Sequence, residues 1–452
     1  MSNAMTEGNP WKLILKFTLP LFLGNLFQQA YNVADAAIVG QTLGADALAA
    51  VGATGSVQFL ILGFCIGAAN GFAIPVASLF GARKEDEMRR NVYTGGVLTA
   101  IISIALMITT ALLAHVILHA LQIPAEIYDN TYWYIFVIFL GIPCTFFYNF
   151  FSSILRAIGD SKTPFLFLAF SSVLNIGLDF FCILVLKWGV AGAAIATIFS
   201  QGLSAVLCYA LIRRKFVILR LRKEDKVIEK EAVLKLLNMG VPMGLQFSIT
   251  AIGCMVMQSG NNALGTVYVS GFAAGTKINN FMQCPYDALA TAVCTFCSQN
   301  YGGGKGERIQ QGLKIGLLLA VCWGVLGGLI LIFFGRRMCM IFMSADNAEA
   351  LNAGAQYLRC VGYFWILLGF LNVTRLTTQG LGWSRRAVFS GVFELGARVL
   401  VTLVFVPRYG YTAICFADQM AWVAAVIYIV PTCMKAMRHA QAEIASGQLT
   451  LS

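Results

Sequence analysis

The stretch IGLLLAVCWGVLGGLILIFF, residues 315–334, runs for 20 positions without a charged side chain. A helix of about 20 apolar residues is long enough to cross the roughly 30 Å hydrocarbon core of a bilayer. Similar stretches recur along the whole chain, which is 58% hydrophobic and 12% charged and has a mean hydropathy of +0.74. A soluble domain carries about a quarter charged residues. The composition therefore predicts an all-α polytopic membrane protein.

Twelve transmembrane spans account for the apolar stretches. We place them at 12–38, 53–80, 93–118, 130–154, 164–186, 190–212, 241–263, 274–300, 313–334, 356–380, 387–407 and 411–433. With a cytoplasmic N-terminus, 22 lysine and arginine residues flank the spans on the cytoplasmic side and five flank them on the other side. By the positive-inside rule this asymmetry predicts a multi-pass protein of the inner or plasma membrane with both termini in the cytoplasm.

Several other functions are disfavoured by what the sequence lacks. The net charge of +11 follows from the loop asymmetry, and no basic stripe with interleaved aromatics indicates a nucleic-acid partner. The 13 cysteines lie mostly in apolar spans and have no paired spacing typical of zinc sites or disulfides. The three histidines form no metal-binding motif, and no phosphate-binding GxxxxGK[ST] loop is present. We therefore expect no enzyme activity and no cofactor, and we expect the energy to come from an ion gradient or from a partner.

The second half of the chain repeats the first at a nearly constant offset. GARKEDEMRR (81–90) corresponds to GGGKGERIQQ (302–311), AIGDSK (157–162) to GLGWSR (380–385), and KWGVAGAA (187–194) to RYGYTAIC (408–415). Because each half has an even number of spans, both halves enter the membrane from the same side. The expected fold is two pseudo-symmetric six-helix bundles that enclose a central cleft.

The repeat sets the expected domain boundaries. They are a tag remnant and N-terminal segment (1–11), an N-lobe (12–212), a cytoplasmic linker (213–240), a C-lobe (241–436) and a cytoplasmic tail (437–452). The linker sequence EDKVIEKEAVLKLL (224–237) is typical of a short amphipathic helix on the membrane surface. The polar tail is expected to be disordered.

Four motifs, in order and on the predicted helices, carry a resemblance to a known family. They are NVADAAIVGQTLGADALAAVG (32–52), ILRAIGDSKTP (154–164), LNIGLD (174–179) with GVAGAAIAT (189–197), and FCSQNYGGGKGERI (296–309). Over nearly its full length the chain resembles the multidrug and toxic compound extrusion (MATE) family, in its DinF-like branch. The resemblance implies two six-helix bundles in a V and cation-driven export of small organic molecules, and we expect a monomer.

Ionisable side chains within spans are informative, since an acidic residue at the bilayer centre costs about 2.5–3.5 kcal/mol. In the first half Asp35 and Asp179 lie within spans, and Asn175 precedes Asp179 by one helical turn. Tyr31 precedes Asp35 by one turn, and Thr197 lies in the sixth span. Such a set of oxygen atoms can take up a proton or Na⁺. Alternatively, the two carboxyl groups only hydrogen-bond between helices and fix their packing.

The family resemblance implies the cation-binding alternative. Tyr31, Asp35, Asn175, Asp179 and Thr197 fall on positions that form the N-lobe cation site in the archaeal and DinF-like branch of the family. One neighbouring position departs from the family, because Ser152 stands where relatives often carry an asparagine. The site is therefore expected to offer fewer ligands than in those relatives, and the choice between H⁺ and Na⁺ as the coupling ion stays open.

The second half carries a different set of charges in its spans. They are Lys277, Asp287, Arg375, Glu394, Arg398 and Asp418. Glu394 and Arg398 are four residues apart in the favourable acid-first order, which predicts an ion pair. The repeat aligns Arg398 with Asn175, so this half has no copy of the acidic pair. The coupling site is therefore expected in the N-lobe.

Aromatic and polar side chains are candidates for lining the cargo cavity. They are Phe27, Gln28, Asn149, Phe150, Phe281, Gln283 and Tyr286. The resemblance implies a cation-coupled antiporter that exports organic, cationic amphiphilic compounds by alternating access. The alternative is a flippase for a lipid-linked saccharide, which would use basic residues to hold a diphosphate. The candidate site residues of the first half are acidic, which disfavours such an anionic cargo.

Overall fold

The computed structural model describes residues 4–344 and 347–447, and within them all regular structure is helical. The first half contains α1 (Pro10–Leu43), α2 (Ala45–Gly81), α3 (Glu85–Leu112), α4 (Ala114–Ala120), α5 (Ala125–Leu140), α6 (Ile142–Ala157), α7 (Lys162–Phe180) and α8 (Gly189–Lys215). The second half contains α9 (Lys230–Asn262), α10 (Thr266–Gly302), α11 (Gly306–Cys339), α12 (Ala348–Tyr363), α13 (Trp365–Gly380), α14 (Ser384–Leu400), α15 (Val406–Tyr409) and α16 (Tyr411–Ser446). A π-helical turn follows α7 and another follows α14.

Each of the twelve predicted spans coincides with one helix or with helices joined by a short break. Among the described residues eight helices are long and apolar enough to cross a membrane, and two bent pairs raise that number to ten. The pairs are α5 with α6, bent by 45°, and α12 with α13, bent by 56°. The long helices α1 and α10 cover the first and eighth predicted spans. Helices suit the bilayer because each satisfies its own backbone hydrogen bonds.

The chain forms two compact units. Unit 1 contains Leu23–Gly244, and unit 2 contains Met5–Phe22 together with the chain from Leu245 onward. In unit 1, α2 packs against α3, α5 and α6, and α8 packs against α6 and α7. In unit 2, α10 packs against α11, α12 and α13. The unit boundaries lie inside α1 and α9, so each of these helices contributes to both units.

The predicted linker 213–240 lies wholly within unit 1, and its amphipathic helix is not formed as expected. Residues 226–229 are not helical, and α9 begins at Lys230 and continues without a break through the seventh span. The buried carboxylate of Asp225 explains the difference, because it accepts hydrogen bonds from Arg89 Nε (2.9 Å) and Arg222 N (2.8 Å). These contacts fix a turn where a helix was predicted.

The prediction of a disordered tail from residue 437 is wrong for most of that segment. Helix α16 continues to Ser446, and Tyr301 donates a hydrogen bond to Glu443 Oε2 at 2.7 Å. The contact with α10 explains why the polar end of α16 stays helical. Residues 448–452 of the predicted tail, and residues 1–3 of the predicted tag remnant, lie outside the described residues.

Corresponding turns in the two halves both depend on glycine. Gly159 after α6 has φ +86°, and Gly382 after α13 has φ +91°. A side chain at a positive φ costs about 1 kcal/mol or more, so glycine is the residue that suits both turns. The two turns confirm that the motifs AIGDSK and GLGWSR occupy equivalent places in the repeat.

Candidate functional site

The five residues predicted to hold a cation come together in unit 1, where α1, α7 and α8 contribute them. The Asn175 amide lies between Asp179 and Thr197. When its nitrogen donates to Asp179 Oδ2 (3.1 Å), its oxygen accepts from Thr197 N and Oγ1, both at 3.2 Å. Tyr31 and Thr197 line the same cavity as Asp35. The helix positions predicted from sequence spacing are therefore also close in space.

The two carboxyl groups of this cluster lie close enough to interact electrostatically. Asp179 is fully buried and Asp35 is half-buried. One buried oxygen of each, Oδ1, has no hydrogen-bond partner. In the described part of the chain neither carboxyl group forms an ion pair with a basic side chain. The cluster thus offers acceptor oxygens and negative charge to a small cation.

A cavity of about 180 Å³ opens beside Asp35. It is lined by Gln28, Tyr31, Asn32, Asp35, Gln58, Leu62, Tyr134, Ile138, Thr145, Thr197, Ile198 and Gln201. This volume holds several water molecules, whereas pockets for drug-sized ligands have about 300–1,000 Å³. The cavity therefore suits an ion and its water better than an organic molecule.

Five of the polar residues in this wall were not singled out from the sequence, namely Asn32, Gln58, Tyr134, Thr145 and Gln201. Gln58 Nε2 donates to Thr54 Oγ1 at 2.7 Å. Their common signal is an amide or hydroxyl group inside an apolar span. That signal is weak, because many such residues only hydrogen-bond within their own helix.

The predicted cargo-cavity residues of unit 1 divide into exposed and buried positions. Gln28 lines the cavity beside Asp35, and Phe27 is 44% exposed. Asn149 donates to the backbone oxygen of Thr145 at 2.8 Å. The prediction for Phe150 is wrong, because this ring is 1% exposed and packs in the core of unit 1.

The predicted cargo-cavity residues of unit 2 divide in the same way. Phe281 and Gln283 are half-buried. The prediction for Tyr286 is wrong, because the side chain is completely buried and donates to the backbone oxygen of Trp365 at 2.9 Å. Sequence alone did not distinguish it from a cavity residue, because a polar tip on an aromatic ring serves both places.

Unit 2 contains a buried network of charged side chains from α13, α14 and α16. Glu394 forms ion pairs with Arg375 and with Arg398 Nη1, the second at 3.4 Å. Arg398 Nε in turn donates to Asp418 Oδ1 at 2.9 Å. Tyr357 donates to the other oxygen of Asp418 at 3.1 Å. The predicted Glu394–Arg398 pair is therefore present, as part of a larger network.

Asp287 differs from these four residues in its exposure. It is an exposed carboxylate in the middle of α10, and its Oδ1 accepts from Gln283 Nε2 at 3.4 Å and from Asn372 Nδ2 at 3.3 Å. Within the described residues it has no ion-pair partner. Among those residues no group of three or more His, Cys, Asp and Glu is placed to hold a metal ion.

Comparison with known proteins gives matches over both halves. A protein-family model described as MatE matches residues 20–181 and again residues 242–404. The chain is 30% identical to the probable multidrug resistance protein YpnP of Bacillus subtilis, over 90% of this chain and 89% of that protein. It is 23% identical to the FAD transporter of Shewanella oneidensis, over 87% of this chain and 86% of that protein.

A solved structure shows the same fold. The crystal structure of a MATE protein in complex with MaL6 matches with a TM-score of 0.89 at 22% identity, covering 98% of this chain and 99% of that one. This likeness confirms the predicted fold of twelve transmembrane helices. The two family matches begin at corresponding prolines, Pro20 and Pro242, which confirms the sequence repeat.

Proposed function

Since this chain belongs to the MatE family of membrane transporters, we propose that it is a cation-coupled antiporter that exports organic compounds. As a transporter and not an enzyme, it carries out no covalent chemistry. The proposed cargo is organic, cationic and amphiphilic, and the proposed coupling ion is H⁺ or Na⁺. We propose that a single chain in the bilayer is sufficient, without a cofactor or a nucleic-acid partner.

One observation carries the proposal, namely that the pair Asp35 and Asp179 forms no ion pair with any basic side chain in the described ranges 4–344 and 347–447. Two carboxyl groups side by side in a poorly solvated place are costly unless a proton or a cation neutralises them. Direct hydrogen bonding between them requires one shared proton, while Na⁺ would use their oxygens as ligands. Asn175, Thr197 and Tyr31 complete this shell.

The transport cycle follows from neutralising this pair. The ion enters from outside and neutralises Asp35 and Asp179, which removes the charge that holds the polar face of α1 toward water. Helix α1 then shifts, cargo leaves, and the protein closes for the return step. Because the cavity at Asp35 is small, the ion and the cargo occupy different places, and coupling acts through α1.

The test is transport in proteoliposomes, with a proton gradient and a sodium gradient imposed separately. We expect one of the two gradients to drive uptake of a fluorescent organic cation such as ethidium, and its collapse by an ionophore to stop uptake. Protein-free liposomes and a matched anionic dye are the controls. Uptake of the anionic dye alone, or a response to neither gradient, would contradict the proposal.

The anionic dye is included as a control because one relative and one alternative function both suggest an anionic cargo. The name of the Shewanella relative refers to FAD, which is an anion, and a flippase for a lipid-linked saccharide would also bind an anion. Such a cargo needs exposed basic residues to hold it, so uptake of the anionic dye would favour this alternative. The cavity beside Asp35 is lined by acidic, amide, hydroxyl and apolar side chains, which supports a cation as the coupling ion.

We also propose that both termini are cytoplasmic, on the basis of the loop charges. Arg220 and Lys187 are both exposed and are predicted on opposite sides of the membrane. In intact cells, a membrane-impermeant maleimide is expected to label Lys187→Cys and not Arg220→Cys. The unsubstituted protein gives the background from its own cysteines, and detergent-opened cells should label both variants. The reverse pattern in intact cells would invert the topology.

A further inference from the structure

Positive-φ glycines fix which positions of the two repeats are equivalent. Gly159 and Gly382 precede α7 and α14, and they have φ +86° and +91°. Gly189 and Gly410 lie at the start of α8 and α16, and they have φ +60° and +57°. Each pair of glycines therefore gives a common starting point from which the two helices can be compared residue by residue.

This comparison aligns the cation cluster of unit 1 with the charged network of unit 2. Asn175 follows Gly159 at the same spacing as Arg398 follows Gly382, and Thr197 aligns in the same way with Asp418. The two residues of each aligned pair are in contact with each other. The side-chain amide of Asn175 lies 3.2 Å from Thr197 Oγ1, and Arg398 Nε lies 2.9 Å from Asp418 Oδ1. Sequence alignment and hydrogen bonding thus give the same equivalence independently.

The matching positions on α1 and α9 explain how an arginine fits into this place. Pro20 and Pro242 align Tyr31 with Gly253, and Asp35 with Met257. A Cβ on Gly253 would lie 3.1 Å from Cδ and 3.3 Å from Nη1 of Arg398. The missing side chain at Gly253 therefore leaves the space that the Arg398 side chain fills.

The charges of the unit 2 network balance. Arg375 and Arg398 carry two positive charges, and Glu394 and Asp418 carry two negative charges. None of the four side chains is more than 9% exposed. Among the residues that the structure describes, the two carboxyl groups of the unit 1 cluster form no ion pair with a basic side chain, whereas the unit 2 network contains its own cations.

We propose that the Arg398 guanidinium is a tethered cation, which occupies in the second repeat the place that the first repeat leaves open for an exchangeable ion. The statement about the first repeat rests on the proposed function. Unit 2 then binds no coupling ion, because its anionic groups already have a permanent partner. Removal of the Arg398 side chain should convert the network into a site for a small free cation.

The test is thermal unfolding of the full-length protein in detergent, followed by tryptophan fluorescence. Arg398→Ala is expected to lower Tm by about 10 °C, since one partner of a buried ion pair is lost. Millimolar methylguanidinium should restore about half of this loss, as expected for a ligand that binds only the folded state. It should leave the Tm of the wild type unchanged.

Two further variants show whether the lower Tm of Arg398→Ala results from the loss of its positive charge or from the loss of packing. Arg337→Ala removes an exposed arginine of the same unit and should change neither Tm nor the response. Arg398→Ala combined with Asp418→Asn should recover part of the Tm and no longer respond to methylguanidinium. If Arg398→Ala gives no folded protein, folding of the double variant supports the proposal, and its failure overturns it.

A folded Arg398→Ala that responds to neither methylguanidinium nor Na⁺ would also overturn the tethered cation. These measurements involve no transport. A failure of ion-coupled uptake would therefore leave their result unaffected, and the two proposals can fail separately.

Discussion

Replacing Asp35 or Asp179 by asparagine is expected to reduce gradient-driven uptake in proteoliposomes to the level of protein-free liposomes. Asparagine keeps the size of the side chain and can still hydrogen-bond, but it neither takes up a proton nor carries the negative charge that attracts Na⁺. Each variant should fold, because removing one of two adjacent carboxylates relieves their repulsion. Binding of the organic cation should persist without exchange against an ion.

The matched control is Asp46→Asn, which removes an exposed carboxylate at the first turn of α2. It should transport like the wild type. The Tm in detergent shows whether each variant is folded, and equilibrium binding shows whether it still binds the organic cation. If Asp35→Asn and Asp179→Asn both retain full uptake, the unit 1 site is wrong, and the exposed carboxylate Asp287 becomes the next candidate.

The number of cations exchanged for each cargo molecule determines whether a membrane potential drives uptake. Exchange of one monovalent cargo for one proton moves no net charge, so a membrane potential would not drive it. Each additional cation that enters per cargo contributes about 2.3 kcal/mol per 100 mV. Uptake by the wild type at zero ion gradient and imposed potential therefore reports whether more than one cation enters, and both asparagine variants should lose that uptake.

The helical fold was predictable because a bilayer leaves few choices for a long apolar segment. Each predicted span coincides with helical segments, and the repeat is reproduced by the two family matches. The bends between α5 and α6 and between α12 and α13 were not predicted. At both places the chain stays apolar, so hydropathy contains no signal of a change in direction.

The errors at the cytoplasmic end have a different cause. The linker turn depends on Asp225, whose partner Arg89 lies far away in the chain, on α3. The helical end of α16 is in contact with Tyr301 on α10. Local composition predicted a surface helix and a disordered tail, and tertiary contacts decided against both. Such contacts between distant residues are not readable from a single sequence.

In the site, sequence spacing was sufficient to predict contacts between residues one turn apart on the same helix. It was insufficient to predict contacts between side chains on different helices. Asn175 and Asp179 were placed on one face of α7, and they do contact each other. Phe150 and Tyr286 were assigned to a cavity and are core residues. The network around Glu394 was predicted only as its i, i+4 pair, because Arg375 lies on a different helix.

That network leads to the second large expected effect, which is on stability. Glu394→Gln leaves Arg375 and Arg398 with Asp418 as their only remaining anion in the network. Breaking a buried ion pair from one side costs about 3–5 kcal/mol, because the remaining charge stays buried without compensation. We expect the apparent Tm in detergent to fall by about 10 °C, with a lower yield of folded protein.

Asp287→Asn is the matched control for this substitution. It also neutralises a carboxylate in a transmembrane helix of unit 2, but Asp287 is exposed, and its side-chain partners among the described residues are the amides of Gln283 and Asn372. Its Tm should therefore stay within about 2 °C of the wild type, as for other changes at exposed positions. Equal decreases in Tm for Glu394→Gln and Asp287→Asn would show that burial and ion pairing do not determine the loss of stability.

The double variant Arg375→Met with Glu394→Gln removes one charge of each sign. It should recover most of the Tm that Glu394→Gln loses, because the network is neutral again.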